Sequence, residues 1–175
     1  LNRVLRKNGY LSVRIERGLE LLDAGISDAF AVADHQIAHI YIKNKTHLAD
    51  IKKLISQQEG VEQVLSGKEI DQKHLQHERC GDLVVVADND SWFTYYFWLD
   101  DAKAPDYARM VDIHKKPGFD PVEMMTDPKD KLVMAKVIGK LLKKKLGFRT
   151  VMNIIPIDAT LIKGSHGRIP DDLAD

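Results

Sequence analysis

A chain of 175 residues with 44% apolar and 30% charged side chains is long enough for one domain with a substantial core, and its composition is that of an ordinary globular protein. Lysine plus arginine equals aspartate plus glutamate at 26 each, so no net field favours a nucleic-acid polymer or an anionic membrane surface. The single cysteine, Cys80, allows no internal disulfide and no thiolate cluster, and no apolar run approaches the ~20 residues of a membrane span, so a cytoplasmic setting without a membrane segment is expected.

In chain order, residues 1–7 read as the tail of a helix closed by Asn8-Gly9, and residues 11–15 alternate apolar with polar side chains as a half-buried strand does. Strands follow at 30–33 and 38–42. Thr46 reads as an N-cap for a helix in which Leu48, Ile51, Leu54 and Ile55 recur at helical spacing until Gly60. Residues 61–65 read as a strand, 69–75 as a short helix and 83–87 as a fully buried strand. This alternation predicts an α/β domain in which helices cover a mixed sheet, with 30–33 and 83–87 as interior strands.

Residues 88–128 break the pattern, first with the aromatics of "DNDSWFTYYFWLDD" and then with turn formers, so they are expected to be an insertion or lid. Asp127-Pro128 supplies an N-cap and a first-turn proline for a helix whose Val133, Val137 and Leu141 form one apolar column beside Met134, Ile138 and Leu142. That face is expected to pack on the sheet. The lysines of "GKLLKKKLGFR" are read as a solvated face, with positive charge placed where the helix dipole favours it, rather than as a phosphate-binding patch.

The stretch "SDAFAVADHQIAHIYIKN" sets two costly polar side chains, Asp34 and His35, at the seam between two apolar runs. Buried there, they need hydrogen bonds or a cation, and strand ends are where α/β sheets bind ligands. A carboxylate and an imidazole suit zinc, although an aspartate capping a loop beside a hydrogen-bonded histidine would look the same in sequence. Downstream, "ATLIKGSHGRIP" presents His166 after an apolar pair, with Gly164 and Gly167 allowing close backbone approach. His39 reads as a satisfied, partly buried histidine, and His74 and His77 as surface residues.

Taken in order, "ADHQIAHIYI", the long "W…YYFW…D…H.KPGFDP" segment and "KGSHGR" resemble the type I phosphodiesterase and nucleotide pyrophosphatase branch of the alkaline phosphatase superfamily. The resemblance implies an alkaline-phosphatase-like α/β fold and two divalent metal ions, usually zinc, at the edge of a central sheet. Asp34 and His35 match the Asp-His pair of one ion, and His166 matches the histidine of the other. It further implies attack of a threonine or serine hydroxyl on phosphorus, with a small-molecule phosphoester as substrate.

The same resemblance places a metal-binding aspartate, the hydroxyl nucleophile and an Asp-x-x-x-His pair upstream of the Asp-His seam, but only 33 residues precede Asp34 here and none is histidine. Residues 1–175 are therefore expected to form either a single α/β domain or the C-terminal portion of a larger catalytic domain. In the second case the N-terminal half of that domain is a missing partner, and the segment alone holds metal weakly or not at all and is inactive. No catalytic residue is assigned within the chain, and Ser165 has no identified base or metal to activate it. His114, in "VDIHKKPGFDP" beside Asp112, is read as a substrate contact or loop residue rather than a metal ligand. The alternative function is a non-catalytic ligand- or protein-binding module that uses the aromatic segment 92–98.

Overall fold

The computed structural model describes residues 1–111 and 126–168. They fall into two units, Leu1–Leu99 with Ile162–Asp175, and Asp100–Leu161. The first unit opens with helix α1 (Asn2–Lys7) and an antiparallel hairpin of β1 (Val13–Glu16) and β2 (Leu19–Leu22). A four-stranded sheet follows, built from β3 (Ala29–Asp34), β4 (Ile37–Ile42), β5 (Val61–Ser66) and β6 (Leu83–Ala87) in the order β3-β4-β6-β5. Helix α2 (Leu48–Ser56) precedes β5, and the short α3 (Lys68–Gln72) precedes β6.

The α/β class is as expected, and the core lies where the sequence is most apolar. All five side chains of β6 are buried, as are Ile40 of β4 and Ile51 and Ile55 on the inner face of α2. Apolar burial of this kind is the main favourable term in folding. Two details differ from expectation. Every strand pairing in the sheet is antiparallel rather than mixed: β3 and β4 form a two-residue hairpin, and β6 inserts between β4 and β5, whose connection through α2 crosses over it, so no two parallel strands are neighbours. Only one of the two strands expected inside is interior. β6 lies between β4 and β5, but β3 is an edge strand, and its Val32 is 52% exposed.

That edge is covered by side chains and loops instead of a further strand. The buried Asn2 amide pairs with Ala31 as a strand would, donating from Nδ2 to the Ala31 carbonyl at 2.9 Å and accepting the Ala31 N–H at 2.7 Å. Tyr10 O accepts from Ala29 N, and Phe93 N donates to His35 O. An uncovered edge would be a template for pairing with other chains, so these contacts close it. Helix α1 also fastens the aromatic segment, with Arg3 Nε donating to Trp98 O at 2.6 Å and Arg6 to Phe97 O at 3.1 Å. Arg6 in turn pairs with Glu20, which is buried on β2.

Smaller corrections concern helix starts. Thr46 does not cap α2: Asn44 caps the 3-10 turn Lys45–His47 that leads into it, its side chain accepting from Thr46 N at 3.1 Å, and α2 itself starts after His47 without a side-chain cap. In the second unit, helix α4 (Val133–Lys145) begins five residues later than Pro128. Asp127 and Asp130 accept backbone N–H bonds from Lys129 and Leu132, two residues on, which holds that stretch in turns. The expected burial of α4 is not met. The helix carries no buried residue, and Met134, Ile138, Leu141 and Leu142 are each more than half exposed. The amphipathic pattern specified the helix but not a partner for its apolar face. Among the described residues no helix is long and apolar enough to cross a membrane.

Candidate functional site

The Asp-His seam is the tip of the β3–β4 hairpin. Asp34 pairs with Ile37 as the last rung, leaving His35 and Gln36 as a two-residue turn. Tight hairpin turns of this length need a left-handed backbone, and His35 adopts φ 55°, at a cost of about 1–2 kcal/mol for a residue with a Cβ. Its surroundings hold it there. The ring is 3% exposed, lies against Trp92 with centroids 5.3 Å apart, and stacks on His166 at 4.5 Å and 27°.

His166 arrives from a segment 132 positions away in sequence, and its Nε2 lies 3.1 Å from Asp34 Oδ1. The loop can lie this close because of its glycines. A Cβ at Gly167, where φ is 91°, would fall 2.8 Å from Ile37 Cγ2 and 3.0 Å from the Asp34 carbonyl oxygen, and one at Gly164 would fall 2.7 Å from the Asn89 carbonyl oxygen. Close approach is what glycine at these two positions permits. On the far side of the loop, Arg168 makes an ion pair with Glu62 at 2.9 Å.

Asp34, His35 and His166 thus share one cluster within the first unit. With Asp34 ionised, its carboxylate only accepts, so His166 Nε2 carries the hydrogen, and His166 Nδ1 is left to accept from Ser165 Oγ at 3.0 Å. Ser165 therefore has a neighbouring base that its sequence context did not reveal. This Ser-His-Asp relay is open to water, with the side chain of Asp34 72% exposed and that of His166 42% exposed, so it lacks the exclusion of solvent that strengthens such contacts.

A carboxylate and two imidazoles are the donor chemistry of a zinc site. The donors are nevertheless too few to close a site. Among the described residues no group of three or more His, Cys, Asp or Glu side chains is arranged to hold one metal ion.

Other candidates fall into place more simply. His39 Nδ1 accepts the Gly81 N–H at 3.2 Å and contacts Cys80 Sγ at 3.6 Å, and burial lowers its pKa. Burial also raises the pKa of Cys80, which favours the protonated thiol. His77 Nδ1 accepts from Arg79 N, and both His74 and His77 are exposed. His114 and Asp112 lie outside the described residues. In the aromatic segment Phe93, Phe97 and Trp98 are buried, with Trp98 fully so, and form core, whereas Trp92, Tyr95 and Tyr96 are half-buried.

Sequence reasoning passed over Gln36. It is 6% exposed, and its side chain and backbone bond to two separate stretches, residues 87–89 at the end of β6 and the His166 loop. The available signal was a third polar residue in "DHQ" at a place where only two had a chemical explanation.

The hairpin tip at the edge of the α/β sheet thus gathers one carboxylate and two imidazoles. Residues 1–120 match the type I phosphodiesterase / nucleotide pyrophosphatase family, and the chain belongs to that family, within the alkaline phosphatase superfamily. The family is hydrolytic and generally metal-dependent. The matched span includes Asp34 and His35 but ends before His166. No curated protein and no solved structure matches the chain.

Proposed function

We propose that the chain contributes part of the centre of a metal-dependent hydrolase acting on small-molecule phosphoesters or phosphoanhydrides. In this reading Asp34 and His35 hold one divalent ion, zinc by donor chemistry, and His166 contributes to a second. The observation that supports it is the meeting of Asp34, His35 and His166 at one hairpin tip although His166 is 132 positions from Asp34. When bound, such ions supply the concentrated positive charge that a phosphoryl transition state requires. The chain's own contribution is to orient the donors: the strained turn aims His35, the glycine-flanked loop brings in His166, and Asp34 fixes which imidazole nitrogen carries the proton.

The remaining parts implied by the family resemblance, the upstream aspartate, the hydroxyl nucleophile and the Asp-x-x-x-His pair, are proposed to come from a preceding half of the same domain. The isolated chain is then inactive. An assay with an aryl phosphodiester and added zinc or manganese, run on this chain and on the full-length protein, tests both points. Turnover is expected from the full-length protein alone, and His35→Ala there is expected to lower it by orders of magnitude together with metal content. Full activity and unchanged metal in His35→Ala would refute the ligand assignment. Metal-dependent turnover by the chain alone would refute the division of the centre.

A further inference from the structure

We propose that Gln36 is the positioning residue that fixes His166 beside Asp34 and His35, an inference that rests on reading that cluster as the functional centre. The Gln36 carboxamide is buried and both of its ends are used. Nε2 donates to the Asp88 carbonyl at 2.9 Å and, at 3.4 Å, to that of Asn89, while Oε1 accepts the Ser165 N–H at 3.1 Å. Its backbone joins the same two stretches to the turn. Gln36 N donates to His166 O at 2.9 Å, and Gln36 O accepts from Ala87 N at 2.9 Å. One residue therefore ties the end of β6 and the His166 loop to the hairpin tip.

The chemistry leaves little choice of side chain. Two carbonyl oxygens demand a donor at one end, and an amide N–H demands an acceptor at the other, so the carboxamide orientation is fixed by its partners. Glutamate would set an anionic oxygen against two carbonyls, asparagine is one methylene short, and methionine fills the volume without making any of these bonds. The loop is packed on the amide itself, since a Cβ at Gly164 would fall 3.1 Å from Gln36 Nε2. Ser165 N is one peptide unit from His166. Its bond to Gln36 thus sets where the imidazole begins, and from there the ring reaches its stack on His35 and its contact with Asp34. The ion pair of Arg168 with Glu62 restrains the loop two residues further on, away from the imidazole.

Hydrogen–deuterium exchange on this chain tests whether Gln36 holds the His166 loop at the hairpin tip. Gln36→Met keeps the packing and removes the side-chain bonds. It is expected to speed exchange at the Ser165 amide about tenfold or more while the amides of Val84, Val85 and Val86 keep their protection. Arg168→Ala is expected to leave Ser165 protected within about threefold, since a surface ion pair contributes little. Should Gln36→Met fail to fold, Gln36→Asn, which keeps the polarity but not the reach, is read in the same way. Unchanged Ser165 protection, or loss spread equally over the sheet, overturns the inference. Titration of the same substitutions with zinc in the full-length protein, where the remaining ligands are proposed to lie, separates it from the metal reading. Lost Ser165 protection with weaker zinc binding supports both, whereas lost protection with unchanged zinc binding supports the positioning role and counts against His166 as a ligand.

Discussion

His39 shows how one residue of the sheet couples stability to pH. Its Nδ1 accepts the Gly81 N–H, a bond that only the unprotonated nitrogen can accept, and burial holds its folded pKa below the ordinary 6.5. The unfolded chain then binds a proton more readily than the folded one. His39 therefore favours folding fully above pH 6.5, and this contribution is lost as pH falls from 6.5 through the lowered folded value. Urea midpoints measured between pH 8 and 5 should fall over that window, and His39→Gln should flatten the fall. An unchanged slope in the variant would show that some other group carries it. At the same scale, the cluster of Asp34, His35 and His166 was legible as residue types, because an acid and an imidazole at a strand end are costly without partners. Gln36 was not, because all its partners are backbone groups, the nearest of its side-chain contacts lying 52 positions away.

At the scale of elements, burial decides what a substitution costs. β6 is covered on both faces, so Val85→Ala should lower stability by about 2–3 kcal/mol, from lost transfer energy and the cavity left behind. Leu142 of α4 is 55% exposed, and Leu142→Ser should change stability by no more than about 0.5 kcal/mol. Equilibrium urea unfolding measures both. A cost above about 2 kcal/mol at Leu142 would mean that the apolar face of α4 is covered in solution. These two elements also mark where the sequence stopped being informative. A run of five apolar residues sufficed to identify β6, whereas the 3.6-residue period of α4 defined a face without defining what lies against it. β2 escaped notice because its central residue is Glu20, whose burial depends on Arg6 in a different element.

At the scale of the molecule, the neutral net charge is a balance between unlike parts. Residues 127–149 hold eight basic and two acidic side chains, so the rest of the chain is acidic, and an argument from total charge does not describe α4. The division at residues 99–100 and 161–162 sets this basic segment apart from the unit that holds the Asp34, His35 and His166 cluster. The α/β class and most strands of that unit could be read from apolar runs and turn residues. Its sheet order could not, because the two-residue turn that pairs β3 directly with β4 depends on a left-handed histidine, a conformation that sequence reasoning assigns first to glycine.

The central claim, that Asp34, His35 and His166 are metal ligands, is tested most directly by anomalous diffraction at the zinc edge from crystals of the full-length protein grown with zinc. The account predicts zinc within about 2.0–2.2 Å of donor atoms of Asp34 and His35, and a second zinc at the same distance from a His166 nitrogen. Zinc bound only elsewhere, with the Asp34–His166 contact intact, would contradict it.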